Sequence, residues 1–139
     1  LASGEDAHTH DTPIDISADT RGFHARIRAE LHHLVRALSA EDFEGAAMAT
    51  RQQADDPWPA DRFAGELEAF EAAHGPLRFD HSARLTEHTA IDATGPHQWR
   101  VNQTLLGEEG ATLVALQGFV DLRSDTNPSG PLVAIWHIG

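Results

Sequence analysis

The sequence contains no cysteine and no lysine. Without cysteine the chain can form no disulfide, no thiolate metal site and no thiol nucleophile, and a disulfide-free chain suits the cytoplasm, where we expect it. The 10 basic residues are all arginine and face 22 acidic ones, so the formal net charge is −12. Because this charge repels a phosphate backbone, direct nucleic-acid binding is disfavoured.

Long apolar runs and nucleotide-binding loops are also missing. No stretch approaches the about 20 apolar residues that a membrane helix needs, so we expect no membrane association. Neither GxxxxGK[ST] nor GxGxxG occurs, which excludes the two commonest phosphate-binding loops. The chain begins at Leu1 with no basic-then-apolar leader, and we interpret it as a fragment of a longer protein.

The length and the composition fit one domain. A chain of 139 residues with 40% hydrophobic residues can bury a single core. Residues 1–20 are polar, acidic and aperiodic, which predicts a linker or a disordered arm. The single α+β domain is therefore predicted over residues 21–139.

Three amphipathic helices are predicted in the first half of that domain. The first spans about residues 21–38, because apolar residues recur at steps of three and four. The second is expected to begin at the N-cap Ser39 and to reach about Gln53. The third should run from Pro59 to His74, where Gly75 supplies the stop.

After residue 76 the apolar period changes to two, which is typical of strands. Strands are predicted over about residues 77–91, 98–106, 112–124 and 132–138. The connections are short, so the strands should form a curved antiparallel meander with the helices packed on one of its faces. This is the cone architecture of cystatin-like and nuclear-transport-factor-like folds.

The faces of the sheet follow from a tight hairpin at residues 107–110. That hairpin pairs Leu106 with Ala111, and counting back places Val101 opposite Leu116 and Trp99 opposite Gly118. The predicted inner face comprises Trp99, Val101, Gln103, Leu105, Val114, Leu116, Val120, Leu122, Trp136 and Ile138. The predicted outer face comprises Arg100, Asn102, Leu106, Leu113, Gln117, Phe119, Asp121, Val133, Ile135 and His137.

The predicted outer face is too apolar to stay in water, which indicates a protein interface. We expect it to dock on a protein partner or on a second copy of the chain. The contact is assigned to Arg100, Leu113, Phe119, Val133 and Ile135.

Two polar readings compete with a purely structural account. Gln103 could line a pocket between the helices and the sheet. A buried glutamine more often simply hydrogen-bonds to the backbone or to a neighbouring side chain. On the outer face, Arg100, Gln117 and His137 could align across three strands beside Asp121 and grip an anion. The alternative is an ion pair of Asp121 with Arg100 or Arg123.

No metal, cofactor or catalytic residue is predicted. Ten histidines give many accidental pairs, and the adjacent His32 and His33 point apart on a helix. His8 and His10 lie in the acidic arm, where such a pair is weak evidence for a site. The histidines on an acidic chain also suggest a pH-dependent change in association.

A family resemblance rests on short motifs in a fixed order. They begin with Arg28, Leu31, Val35 and Ala37, and continue with Trp58, Gly75 and the pair Ala83-Arg84. They are clearest in WRVNQ at 99–103, VDLRSD at 120–125 and the final Ile138-Gly139. From Phe23 to Gly139 the chain resembles the uncharacterised domain that closes a family of bacterial DEAD/DEAH-box helicases.

The resemblance implies a non-catalytic accessory domain in a parent protein that couples ATP hydrolysis to unwinding. The helicase motor has no counterpart in this chain, so no catalytic residue is carried over. The hairpin at residues 107–110 departs from the more acidic, tryptophan-containing hairpin expected of the family. The alternative hypothesis is a cone-shaped small-molecule binder or enzyme.

Overall fold

A computed structural model describes residues 14–139. It contains three α-helices followed by a sheet of four strands in the order β1-β2-β3-β4, with every neighbouring pair antiparallel. The helices are α1 (Thr20–Ser39), α2 (Phe43–Met48) and α3 (Ala60–His74). The strands are β1 (Thr89–Gly95), β2 (Gln98–Gly107), β3 (Gly110–Asp121) and β4 (Ala134–Ile138). The predicted α+β meander is confirmed.

The first helix forms as its apolar stripe predicts. Asp19 caps it by accepting a hydrogen bond from the Gly22 amide at 3.2 Å. The residues at steps of three and four are buried and belong to the core: Phe23, Ile27, Leu31, Leu34, Val35 and Leu38.

The second helix is shorter than predicted and has a different cap. Ser39 is the last residue of α1, and its hydroxyl donates to the Arg36 carbonyl at 2.8 Å. The chain turns at Glu41, which has a φ of 58°, and Asp42 then caps α2 by accepting from the Gly45 amide at 3.0 Å. Ser39 was therefore the wrong cap, because a hydroxyl near a helix end can equally bond the preceding turn.

The third helix follows the proline-rich segment as expected. Pro59 is its N-cap, Phe63, Leu67 and Phe70 form its buried face, and Gly75 ends it with a φ of 77°. Just before it, Trp58 packs on Phe63 with ring centroids 5.0 Å apart.

The predicted first strand is mostly wrong. Only Arg78 makes a bridge, to Leu106, and the chain then forms two 3₁₀ turns at Ser82–Arg84 and Thr86–His88 before β1 begins. The Asp80 carboxylate accepts from the Ala83 amide at 3.2 Å. This bond stabilises a turn where the prediction had a strand paired with its neighbour. The alternating apolar pattern does not indicate such a bond.

The register differs from the predicted one by two residues. Leu106 does pair with Ala111, but an irregularity between Thr104 and Leu106 places Val101 opposite Gly118 and Trp99 opposite Val120. An even shift keeps each side chain on its face. The predicted pairs were therefore wrong while the predicted inner face of β2 and β3 was right.

The inner face and the helices enclose one core. Its buried sheet side chains include Val101, Gln103, Leu105, Leu116, Val120, Ile135 and Ile138, and Leu122 just after β3 is buried with them. Trp99 is half-buried and contacts the Phe23 ring with centroids 4.5 Å apart, and the half-buried Val114 also packs against the core.

The predicted arm is described only in part. Residues 1–13, and with them His8 and His10, lie outside the described residues. Before α1, the Ile16 amide donates to the Thr126 carbonyl at 3.0 Å, and Asp15 lies 2.8 Å from His97 Nε2. The assignment of residues 21–139 as the domain stays a prediction.

Candidate functional site

The outer face of the sheet is the candidate site. In the observed register its side chains alternate with those of the inner face, and most are exposed or half-buried, whereas Ala115 and Ala134 on the same face are buried. We define the outer face by Ala90, Asp92, Arg100, Asn102, Thr104, Gln117, Phe119, Asp121 and His137. It mixes one aromatic ring with both signs of charge and several neutral hydrogen-bonding groups.

The centre of the outer face is a row across four strands. Asp92 lies opposite Arg100, Arg100 opposite Phe119, and Phe119 opposite Ala134. Phe119 is half-buried and Arg100 is exposed. Among the described residues, the ion pairs do not include Arg100. The row therefore presents a guanidinium and a phenylalanine ring on neighbouring strands, and arginine and aromatic residues are enriched at protein interfaces.

The predicted polar row is displaced by the register shift. Asn102, not Arg100, lies opposite Gln117, and Gln117 lies opposite His137. Gln117 Nε2 donates to the Gly139 carbonyl at 3.0 Å, so part of its hydrogen-bonding capacity is already used. Arg100 and His137 thus stand in different rows, and the predicted three-residue anion grip is not assembled.

Asp121 forms an ion pair with Arg123, one of the two partners that the alternative interpretation predicted. Its carboxylate accepts from Arg123 Nη2 at 2.7 Å, from Arg123 Nε at 3.0 Å and from the Arg123 amide at 3.0 Å. These bonds lower the pKa of Asp121 to about 2. Asp121 is therefore a structural group that ends β3, where the predicted strand ran on to residue 124.

Two of the five predicted contact residues are not on the outer face. Val133 and Ile135 are each 2% exposed and belong to the core. The Val133 amide donates to a Glu30 oxygen at 3.1 Å, which holds the start of β4 against α1. Leu106, also predicted on the outer face, is 3% exposed, because the irregularity in β2 buries both it and Leu105.

For Trp136 the error is the reverse: it was predicted to be buried on the inner face, but its side chain is 47% exposed. In the pairing of β3 with β4, Gln117 lies opposite His137 and Gly118 opposite Ile135, so Trp136 is an extra residue in a β-bulge. Its ring stacks on His137 at 5.5 Å with an interplanar angle of 28°.

The remaining predicted contact, Leu113, is fully exposed near the β2–β3 hairpin. It lines a cleft of about 740 Å³ between the hairpin and the end of α3, together with Glu71, His74, Glu108 and Glu109. Leu113 therefore belongs to a separate, acidic region and is not a neighbour of Phe119.

Gln103 is a satisfied core amide. It is 1% exposed, its carbonyl accepts from the Thr89 hydroxyl, and its Nε2 donates to the Ala83 and Thr104 carbonyls at 3.4 Å. Gln103 thus fastens β1 and the first 3₁₀ turn to β2, and it faces protein groups on both sides.

The residues that the structure describes contain no group of three histidine or acidic side chains that could hold a metal ion. Over the same residues, no helix is both long and apolar enough to cross a membrane.

The comparisons with known proteins give a family and nothing finer. Residues 2–137 match the family described as domain of unknown function DUF3516, and because the match covers nearly all of the chain, the protein belongs to this family. No curated protein matches the sequence.

Proposed function

We propose that this domain is a non-catalytic interaction module at the C-terminus of a DEAD/DEAH-box helicase-like protein, docking through the outer face of its sheet. The observation that carries the proposal is the half-buried Phe119 beside the exposed Arg100 on the outer face, where the next residue in the row, Ala134, is buried. The resemblance of the 99–103 and 120–125 motifs to the helicase-associated domain supports the assignment to such a parent.

The size of the outer face decides which partner we favour. The sheet has four strands, which at about 4.8 Å spacing span about 19 Å. The three strand pairs hold six, nine and four paired residues, so the face is about 14 to 31 Å long at about 3.4 Å per residue. The area that these dimensions give is below the about 800 Å² per partner of a stable complex. We therefore expect weak docking that depends on tethering, because a short linker supplies a millimolar effective concentration.

Tethering favours the ATPase core of the same polypeptide over a second copy. Phe119 and Arg100 would supply the contact, with Trp136 and His137 at its margin. The net charge of −12 keeps the domain from competing for the nucleic acid that the core would bind. Leu113, which lies in the acidic cleft, is not assigned to this contact.

The filled core argues against the pocketed binder or enzyme. Ligand sites commonly have volumes of about 300 to 1,000 Å³. Within the core between helices and sheet the described residues instead pack into one continuous buried cluster that includes Phe63, Ile27 and Leu116. The cleft of about 740 Å³ lies outside this core, between the end of α3 and the β2–β3 hairpin, and Gln103 does not line it. Gln103, the one polar group of the inner face, has protein partners.

The test is a titration of the ATPase core encoded in the same reading frame with the fluorescently labelled domain. Wild type should bind at concentrations up to about 1 mM, which is the range that a tether provides. Phe119→Glu should weaken binding at least tenfold, because it places a charge at the centre of the contact. The matched control is Met48→Glu, which changes an 80% exposed apolar side chain on α2.

Three results would overturn the proposal. The first is a reading frame without an ATPase core, which removes the helicase part. The second is an absence of binding to that core at 1 mM together with a monomeric domain in sedimentation at the same concentration. The third is binding that Phe119→Glu and Met48→Glu weaken equally.

A further inference from the structure

A continuous acidic depression runs along the C-terminal part of α3. One portion is the cleft of about 740 Å³ between the end of α3 and the β2–β3 hairpin. The other is a groove of about 410 Å³ between α3 and the start of α2. Both are lined by Glu71 and Ala72, so they adjoin, and we call them together the α3 groove. Its carboxylates are those of Glu41, Glu68, Glu71, Glu108 and Glu109.

The charges of the α3 groove are unbalanced. No arginine of the described residues lines it, and His74 is the basic side chain that does. The ion pairs of the same residues include none of its five carboxylates. Glu68 and Glu71 are three residues apart on α3, where side chains are neighbours and like charges repel. The groove therefore attracts positively charged groups from outside the domain.

The carboxylates also gather at the end of α3 where negative charge is least favourable. The C-terminus of a helix carries a partial negative charge and favours cations. Glu71 nevertheless lies in the last turn of α3. The Glu108 carboxylate lies over the C-cap, since a Cβ built at Gly75 would be 2.8 Å from Glu108 Oε2. Two carboxylates at this place oppose the stability of the helix and prepare its end for a cation.

Two backbone acceptors at the same helix end are open. Pro76 has no N–H to donate to the Ala72 carbonyl. The Leu77 amide donates to Glu71 Oε2 at 3.2 Å, so it does not serve the Ala73 carbonyl. Within the described residues, no backbone amide from outside α3 reaches either carbonyl. Ala72 and Ala73 both line the cleft, so a ligand that donates hydrogen bonds meets acceptors besides the carboxylates.

The two walls of the cleft are fastened to each other at its floor. The Glu108 amide donates to the His74 carbonyl at 2.8 Å, and the Arg78 amide donates to the Leu106 carbonyl at 2.8 Å. Gly107 allows this close approach, because a Cβ there would lie 2.5 Å from the His74 carbonyl oxygen. A cleft that is formed before binding loses less conformational entropy when the ligand arrives.

The shape of the α3 groove favours an extended ligand over a single ion. In the part of the chain that the structure describes, no three acidic or histidine side chains are placed to hold a metal ion. Carboxylates spread along a groove suit a ligand with several cationic groups. The fully exposed Leu113 in the cleft and the half-buried Phe43 in the second portion add apolar contacts. A peptide with basic and apolar side chains matches both properties.

We propose that the α3 groove binds an extended segment of another protein in which arginine or lysine side chains alternate with apolar ones. The basic side chains donate to the carboxylates and to the open carbonyls of Ala72 and Ala73. An apolar side chain of the segment packs on Leu113. The net charge of −12 accelerates the approach of such a segment. This surface is separate from the outer face of the sheet and needs none of its residues.

The test is a fluorescence anisotropy titration of labelled peptides with the 139-residue chain. The peptides combine arginine, leucine and glycine, with the arginines two, three or four residues apart, and control peptides carry neutral citrulline in place of arginine. At least one arginine peptide should bind saturably below about 1 mM, and its binding should weaken as salt is added. Backbone NMR shifts should centre on residues 68–75 and 107–113.

Variants of the groove sharpen the test. Glu68→Gln combined with Glu108→Gln should weaken binding at least tenfold, while the domain stays as stable as wild type or becomes more stable. Leu113→Ser should weaken binding about threefold, which corresponds to the loss of part of one apolar contact. The matched control is Asp55→Asn combined with Glu87→Gln, which removes the same charge at two exposed positions that line neither portion of the groove. It should leave peptide binding nearly unchanged.

Several results would overturn the proposal. Equal weakening by the two double variants would reduce the effect to net charge, and equal binding of the citrulline peptides would remove charge recognition. Tighter binding of spermidine than of every peptide, with no effect of Leu113→Ser, would indicate a small polycation instead of a protein segment. Absence of saturable binding up to about 1 mM would also contradict the site. Phe119→Ser, which alters the outer face, should leave peptide binding unchanged, so the two surfaces are tested separately.

Discussion

The two faces of the sheet carry similar side-chain types in very different surroundings. On the inner face Gln103 is 1% exposed and bonded to protein groups, whereas Gln117 on the outer face is half-buried and beside open surface. Leu116 and Phe119 are close neighbours on β3, yet only Leu116 is fully buried. Alternation along a strand thus separates residues that hold the fold from residues that are free to recognise something else.

The largest difference between the faces should appear on truncating their apolar residues. Leu116→Ala should lower the free energy of unfolding by about 2 to 5 kcal/mol, because it removes fully buried atoms and leaves a cavity. Phe119→Ala should cost about 1 kcal/mol or less, as expected at a partly exposed position. Urea denaturation of both variants measures the contrast, and equal losses would mean that Phe119 serves the fold.

The next contrast is between the two glutamines. Gln103→Leu should cost about 1 to 3 kcal/mol, because the Thr89 hydroxyl and the Ala83 carbonyl lose a buried partner. Gln117→Leu should stay within about 0.5 kcal/mol of wild type. Thermal unfolding of both variants checks this; a neutral Gln103→Leu would show that the amide is not needed to fasten β1.

A smaller effect is expected from His32 when the pH is lowered. Burial of the imidazole, and then the charges of Arg84 and Arg28, lower the pKa of His32 from 6.5, so the unfolded chain binds this proton more readily than the folded one. Stability is therefore unaffected above pH 6.5 and decreases as the pH falls below it. His32→Gln should flatten this part of the stability curve, while His33→Gln, at an exposed position, should not. A curve that His32→Gln leaves unchanged would contradict the unfavourable surroundings of the ring.

The smallest effect should come from Asp121 on the exposed face. Arg123 lowers the pKa of Asp121 from 3.8 to about 2, so the stabilisation is present above pH 3.8 and is lost as the pH falls toward 2. Asp121→Asn should remove only this acid-dependent part, measured by urea denaturation between pH 4 and pH 2. Asp92→Asn, which alters a carboxylate outside the ion pairs, is the control and should change the acid dependence less.

The fold class could be predicted because the apolar periodicity of the main helices and strands extends over many residues. The steps of three and four in α1 and the alternation in β2 and β3 fix which side chains are buried, whatever the detailed pairing. The errors occur where a single polar side chain redirects the backbone. Asp80 starts a turn in a predicted strand, and the Glu30 carboxylate takes the Leu132 and Val133 amides that a strand would have used.

The candidate site was predictable only in part. Phe119 and Arg100 were placed correctly, since an even register shift leaves the faces unchanged. Ile135 and Trp136 exchanged sides because one extra residue in β4 reverses the alternation, and no local pattern marks that bulge.

The bulge at Trp136 has a consequence for how molecules of this protein meet one another in a crowded solution. The strand β4 forms one border of the sheet, where backbone groups could recruit the border of a neighbouring molecule. A protruding indole and an uneven backbone make this border a poor template, so we expect it to resist pairing with the edge strand of another molecule.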